Sequence, residues 1–241
     1  MNRWIMAALV AGATLARGQM GGPGPGDDGS RHLAKVLGKD LAFSARAVTT
    51  MTGGRRPLPA MESGYAVLEG QVRIETDLTK MAGGDMPAQA LAQMKALGMD
   101  RSVMLHRADR PVSYLIYPGK KAYVELTAPG PAREQQPPKI DRVETGKETV
   151  EGHPCVKFKV TITDETGRAT VIFVWEATDL KNFPIKTQTA TAEGTATTVF
   201  KDIKVGKPAA ELFEVPANYK KFPSVQALLM AGMGGMMGGD E

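Results

Sequence analysis

Apolar and polar residues alternate with a period of two over most of the chain, which is the pattern of β-strands. In the first half the pattern occurs in FSARAVTTM, GYAVLEGQVRIETDL, SVMLHRA, VSYLIY and KAYVEL. In the second half it occurs in IDRVETGKETV, HPCVKFKVTITD, RATVIFVWEAT, PIKTQTATA and TATTVFKDIKV. These segments are rich in β-branched and aromatic residues and are separated by turn-forming residues. They predict roughly ten strands, several of about ten residues or more.

Long strands that follow one another closely favour one strongly curved antiparallel sheet. We therefore predict a mainly β (α+β) fold, an unclosed half-barrel of roughly ten strands with helices on its concave face. The helices are predicted from apolar residues that recur every three or four positions. The first is RHLAKVLG after Ser30, the second is PAQALAQMKALG ending at Gly98, and the third contains Val225, Leu228 and Leu229.

The first eighteen residues have the layout of a secretory signal peptide. A basic start is followed by an uncharged apolar run from Trp4 to Leu15 and by small residues before Gln19. This layout predicts cleavage after Gly18 and a periplasmic or secreted protein, with a retained anchor as the alternative. We divide the remaining chain into a disordered Gly/Pro-rich spacer (19–30), a half-barrel domain (31–222), and a short apolar helix with a Gly/Met-rich tail (223–241).

The charge of the chain argues against nucleic acid as a partner. Loss of Arg3 and Arg17 with the signal peptide lowers the formal charge from +4 to +2. Nucleic-acid binding needs basic residues clustered on one face, which the sequence does not show. A single cysteine excludes an internal disulfide, so we expect a monomeric domain that stands on its own core.

The stretch HPCVKFKV holds the only cysteine, Cys155, two positions after His153. Side chains alternate along a strand, so both residues share the parity of Lys157 and are expected on the wetter face. Zinc sites need three or four protein ligands, and a catalytic thiol needs a base held by a third group. Neither is evident, and Lys157 could lower the thiol pKa only slightly. We predict a strand start with an incidental thiol, and no metal, no cofactor and no catalytic residue; the protein is not expected to be an enzyme.

The C-terminal tail offers a second candidate chemistry. Methionines recur at Met230, Met233 and Met236, with Met237 beside the last. Thioethers are soft ligands that select Cu(I), so copper handling is one alternative function. Packing of this apolar segment on the sheet is the simpler interpretation, because Met is also a pliable gap-filler.

Three stretches resemble a family of uncharacterised bacterial secreted proteins grouped with the LolA/LolB lipoprotein-carrier fold. They are RADRPVSYLIYPGKKAYVEL, KETVEGHPCVKFKV and DIKVGKPAAELFEVPANYKKF, the last with Asn218 where such sequences usually carry Gly. The resemblance implies an unclosed β-barrel whose concave apolar face is covered by helices and can hold acyl chains. It assigns no residue a role.

Our first functional hypothesis is a non-catalytic carrier in the periplasm or outside the cell. It would hold a lipid, the acyl chain of a lipoprotein or another apolar molecule, with peripheral membrane contact. The candidate lining combines the β-strand residues of one parity with two helix residues: Met94, Leu97, Phe158, Val160, Ile162, Ile172 and Val174. The alternative is a structural or interaction protein of the cell envelope, whose hollow is filled by its own Leu91, Met94, Leu97, Leu228 and Leu229.

Overall fold

A computed structural model of the chain describes residues 42–54, 60–80, 87–107, 112–127, 139–163, 167–191 and 194–237. The strands are β1 (Phe43–Thr52), β2 (Met61–Leu68), β3 (Gln71–Asp77), β4 (Arg101–Arg107), β5 (Val112–Tyr117), β6 (Ala122–Thr127), β7 (Lys139–Val150), β8 (His153–Thr163), β9 (Ala169–Ala177), β10 (Phe183–Thr191), β11 (Gly194–Val205) and β12 (Lys220–Phe222). The α-helices are α1 (Ala88–Ala96) and α2 (Val225–Met237). The predicted signal peptide, spacer and first helix lie outside the described residues.

The twelve strands form one sheet with the order β12-β6-β5-β4-β3-β2-β1-β11-β10-β9-β8-β7. Neighbours are antiparallel except that β12 runs parallel to β6. The sheet is curved and unclosed, with β12 and β7 at its edges. The predicted half-barrel is therefore confirmed.

There are two strands more than the roughly ten that the alternation predicts. One is the three-residue β12, which is too short to show a period. GYAVLEGQVRIETDL also folds back on itself at Glu69 and Gly70, whose φ angles of 50° and 81° make the tight turn between β2 and β3. Such left-handed turns suit the twist of a hairpin.

The register sorts the sheet into two unequal faces, because residues opposite each other in an antiparallel pair point to the same side. One row across β9, β10, β11 and β1 is buried throughout: Val174, Thr187, Thr198 and Thr49. The row formed by their sequence neighbours, whose side chains point to the opposite face, is partly exposed throughout: Phe173, Gln188, Thr197 and Thr50. We call the face of the first row the inner face.

Aromatic rings fill the inner face at one end of the strands. Phe183 makes edge-to-face contacts with Phe43 and Phe200, at centroid distances of 5.0 Å and 5.6 Å. Tyr65 makes a further one with Phe200 at 5.6 Å. Such pairs add about 0.5–1.5 kcal/mol each beyond the area they bury. This end of the sheet is therefore a packed core, in which side chains of β3, β7, β8 and β9 join those of β1, β2, β10 and β11.

The other end of the same strands is lined by threonines. Thr49, Thr187 and Thr198, which we call the threonine row, are all buried. The hydroxyls of Thr49 and Thr198 hydrogen-bond to each other at 2.9 Å, and the Thr189 hydroxyl beside them donates to the Val171 carbonyl at 3.3 Å. These bonds satisfy polar groups that would be costly to bury alone. Short side chains reach less far above the sheet than the rings at the opposite end.

The C-terminal chain wraps around the β6 edge of the sheet. On the outer face Phe213 is fully buried against Val103, Leu105 and Ile116, and its carbonyl accepts a hydrogen bond from Arg107. The chain then pairs with β6 as β12 and continues into α2. There Leu228, only 1% exposed, packs on the inner-face residues of β5 and β6. Neither α-helix in the described part of the chain is long and apolar enough to span a membrane.

Two glycines bring α1 against the turn between β5 and β6. A Cβ on Gly119 would lie 2.7 Å from the Gly98 carbonyl oxygen, and Gly98 itself has φ of +64° just after α1. Real Cβ atoms do not come this close to backbone, so the two segments touch only because both residues lack a side chain.

We expect Gly119→Ala to destabilise the protein by roughly 1–3 kcal/mol, the usual cost of forcing extra atoms into packed structure. Gly64→Ala is the matched control, because a Cβ there meets only the Glu75 Cβ at 3.8 Å, an ordinary contact. Urea unfolding followed by circular dichroism measures both. Equal stability of the two variants would show that α1 does not depend on this contact.

Candidate ligand-binding site

An apolar cluster covers the inner face near the β7 edge. Val160, Ile172 and Val174 are fully buried, and they are bordered by half-buried Ile140, Phe158 and Ile162. The register places all six on the inner face, since Phe158 lies opposite Val174, Val160 opposite Ile172, and Ile140 opposite Ile162. We call these six residues the β7–β9 cluster. The structure thus brings together five of the seven predicted lining residues: Phe158, Val160, Ile162, Ile172 and Val174.

The other two predicted lining residues lie elsewhere. Met94 and Leu97 are partly exposed on or just after α1, which buries none of its side chains. Leu97 lines an open pocket of about 390 Å³ together with Phe222 and Leu228 at the β6 side of the sheet. The structure therefore does not bring Met94 and Leu97 to the five strand residues. Periodicity alone does not show which side of the sheet α1 meets.

The β7–β9 cluster continues into the threonine row without a break. Val174 lies directly opposite Thr187, and Ile172 lies opposite Thr189. The described helices meet the inner face at its other side, where Leu228 and Met99 pack with residues of β5 and β6. The inner face therefore carries a continuous strip of apolar and hydroxyl-bearing side chains, away from the covering that α2 provides.

An ion pair interrupts this strip. Arg142 lies opposite Val160, and Glu176 is two residues beyond Val174, so both belong to the inner face. The Arg142 Nη2 donates to the Glu176 Oε2 at 2.8 Å, and its guanidinium lies 3.4 Å from the centre of the Phe158 ring. The Glu176 side chain is only 3% exposed. Burial raises the pKa of Glu176, and the attraction of Arg142 offsets only part of this rise.

Two atoms of this ion pair are buried without a hydrogen-bond partner, Arg142 Nε and Glu176 Oε1. A buried polar atom left unpaired costs about 1–3 kcal/mol. Neither residue is among the predicted lining residues. The signal was nevertheless present, because Glu176 has the parity of Ile172 and Val174 and is therefore a carboxylate in a row of apolar positions.

The structure corrects the expectation for Cys155. Its side chain is not on a wetter face but is only 4% exposed, packed in a cluster with Val150, Ala177 and Phe183. Parity identified the side of β8 on which Cys155 lies, but not that Phe183, beyond the register shift in β10, would join it in one buried cluster. The thiol donates to the His153 carbonyl at 3.3 Å. Burial raises the pKa of Cys155, which is the opposite of the small decrease expected from Lys157.

His153 has an orienting partner that the sequence did not reveal. Its Nδ1 lies 2.8 Å from Asp179 Oδ2, in the turn between β9 and β10. The nearby thiol is hydrogen-bonded to a backbone carbonyl, however, and is held in its protonated form by burial. A nucleophile needs the reverse arrangement, a thiol next to a base in a setting that favours the thiolate. Across the described ranges no three His, Cys, Asp or Glu side chains are grouped to hold a metal ion.

Comparisons with known proteins return similar structures but no family. No family model matches the chain, and no curated protein matches it. Among solved structures, the chain is similar to lipoprotein LppX of Mycobacterium tuberculosis, with 12% identity and a TM-score of 0.39 over 69% of this chain and 87% of LppX. It is also similar to a chain of the Pseudomonas aeruginosa MucA/MucB complex, with 14% identity and a TM-score of 0.42 over 75% of this chain and 58% of that one.

A third similar structure is a LolA superfamily protein from Nitrosomonas europaea, with 8% identity and a TM-score of 0.32. The aligned region covers 72% of this chain and 90% of that protein.

We expect the Cys155 thiol of the folded protein to resist labelling. Burial limits access of the reagent, and the raised pKa keeps the thiol protonated at pH 8, where a free cysteine is partly ionised. Reaction with Ellman's reagent should be at least about tenfold slower in buffer than in 6 M guanidinium, since only the thiolate attacks. Labelling at equal rates in both solutions would contradict the buried position of Cys155.

Proposed function

We propose that the protein is a non-catalytic carrier that holds an apolar ligand, such as the acyl chain of a lipid or lipoprotein, on the inner face of its sheet. The ligand would lie along the β7–β9 cluster and the threonine row. The observation that carries the proposal is the half-buried state of Ile140, Phe158 and Ile162 on the inner face of an open sheet. These side chains border fully buried ones and have apolar surface left to cover.

The energetics favour an extended apolar ligand. Each buried methylene contributes about 0.8 kcal/mol, so an acyl chain gains affinity with every carbon that it places along the strip. The threonines suit such a ligand as well, because the hydroxyls of Thr49 and Thr198 bond to each other and that of Thr189 bonds to backbone, which leaves their methyl groups for contact.

The self-filled alternative has less support. Of the residues proposed to fill the hollow, Leu228 is buried, but it packs at the β5–β6 side. Leu229 is 37% exposed, and Leu91, Met94 and Leu97 are partly exposed. Copper handling gains no support either. Met230 is 64% exposed on α2, and the side chains of the other tail methionines lie outside the described residues.

A carrier of this kind would work in the cell envelope. The layout of residues 1–18 supports export to the periplasm or beyond, where lipids and lipidated proteins need shielding from water in transit. Such a carrier would meet membranes peripherally, as a monomer, and without a metal or organic cofactor.

Ile140→Ser tests the proposal at a residue whose loss the fold should tolerate. The exchange removes about three side-chain carbons that would contact the ligand. The affinity for a fluorescent fatty acid such as cis-parinaric acid should therefore fall about tenfold or more. Val143→Ser is the matched control, because Val143 is on the same strand but 60% exposed and opposite Lys159 on the outer face.

Fluorescence titration of the full chain measures both variants, with circular dichroism to verify folding. Wild-type protein that takes up no fatty acid, and that shows only its apo mass by native mass spectrometry after gentle purification from the envelope, would overturn the carrier proposal. Equal losses of affinity in Ile140→Ser and Val143→Ser would show that the ligand does not bind at the β7–β9 cluster.

A further inference from the structure

We infer that the Arg142–Glu176 pair is a head-group site, which binds the uncharged, hydrogen-bonding head group of an amphiphilic ligand in preference to a carboxylate. The inference rests on the proposed function, since the same ligand would place its acyl chain along the β7–β9 cluster. It goes further by naming the chemistry of the other end of that ligand.

The position of the pair fits the end of an amphiphile. Arg142 and Glu176 are embedded among apolar residues of the inner face, with Phe158 under the guanidinium and Val160 opposite it. An acyl chain lying over the β7–β9 cluster would therefore have its polar end within reach of charged atoms. Elsewhere on the strip the polar groups are threonine hydroxyls, of which those of Thr49, Thr189 and Thr198 have hydrogen-bond partners.

The unpartnered atoms define what the head group must supply. Arg142 Nε is a donor and needs an acceptor, whereas Glu176 Oε1 is an acceptor and needs a donor. A hydroxyl or a primary amide offers both functions within one small group. A carboxylate offers only acceptors, so it would satisfy Arg142 and leave Glu176 facing another negative charge.

Among the side chains that the structure describes, no other positive charge near the pair would neutralise the carboxylate of a ligand bound beside Glu176. The lysines on β8 and β10 point to the outer face, where Lys157 and Lys186 lie over the Trp175 ring and Lys159 lies opposite Phe173. On the edge strand β7, the exposed Glu144 and Lys147 share the inner face and carry opposite charges. The charge of Arg142 is thus neutralised by its ion pair with Glu176, and the site as a whole is electrically neutral.

The experiment compares two ligands with the same acyl chain, 1-monolauroylglycerol and laurate, at pH 8 and below their critical micelle concentrations. Affinities for the full chain are measured by displacement of cis-parinaric acid. Wild-type protein should bind monolauroylglycerol at least about tenfold more tightly, because its hydroxyls can also donate to the Glu176 carboxylate, a charge-assisted hydrogen bond that laurate cannot make. Glu176→Gln should reverse the order, since it frees Arg142 to pair with the laurate carboxylate.

Glu144→Gln is the control, because it removes an exposed carboxylate from the same face and should leave the wild-type ratio unchanged. Equal affinity of wild-type protein for the two ligands, or tighter binding of laurate, would overturn the head-group site while leaving the carrier function intact. Folded Glu176→Gln protein with the wild-type ratio would also overturn it. Binding of neither ligand, and no uptake of the fluorescent probe, would remove the carrier function itself. If Glu176→Gln fails to fold, the ratio of the wild-type affinities for monolauroylglycerol and laurate still tests the head-group site.

Discussion

The pairing of β1 with β11 is the interaction on which the rest of the structure depends. Each half of the sheet, β1 to β6 and β7 to β11, is built from strands that are neighbours in sequence. Only the β1–β11 ladder joins them, with contacts such as Phe43 to Val205 and Thr49 to Thr198 that lie about 150 residues apart. Closing so large a loop costs entropy, although the cost grows only slowly with length. The ladder repays it by making one continuous inner face out of two sheets.

That continuous face explains why aromatic rings, threonines and aliphatic residues occupy separate zones. The rings of Phe43, Phe183 and Phe200 meet across the β1–β11 junction and pack where the two halves join. The β7–β9 cluster lies at the far edge of one half, where fewer neighbours are available to cover it. A sheet stabilised at its junction can leave apolar surface incompletely covered near an edge, and such surface is characteristic of binding sites.

The buried ion pair is hard to explain by stability alone. Taking two charges out of water is expensive, and replacing such pairs with apolar residues is often neutral or stabilising. Glu176 lies between Trp175 and Ala177, and the two inner-face residues that precede it on β9 are the apolar Val174 and Ile172. An apolar residue would serve the core better at this position. The unpartnered Nε and Oε1 atoms add to the cost, which is consistent with a role in contacting a ligand rather than in holding the fold.

Sequence alone predicted what depends on local alternation and missed what depends on contacts between distant segments. Parity placed Phe158, Val160 and Ile162 on one side of β8, and Ile172 and Val174 on one side of β9. Antiparallel pairing of the two strands puts both sets on the same face of the sheet. Parity also assigned Cys155 to the side of Lys157, but it could not show that Cys155 would be buried in one cluster with Val150, Ala177 and Phe183. The position of α1 was equally out of reach, because it is set by the contact between Gly98 and Gly119.

The edge strand β7 shows how an open sheet can keep its apolar strip accessible. An unpaired edge invites another strand to add to it, and charged side chains and bulges are the usual defences. β7 has both. Arg142, Glu144 and Lys147 lie along it, and its register shifts between Glu144 and Gly146. These features discourage strand addition, so the rim of the β7–β9 cluster stays free of other strands. The proposed acyl-chain ligand could occupy it, because an acyl chain forms no hydrogen bonds with the backbone of an edge strand.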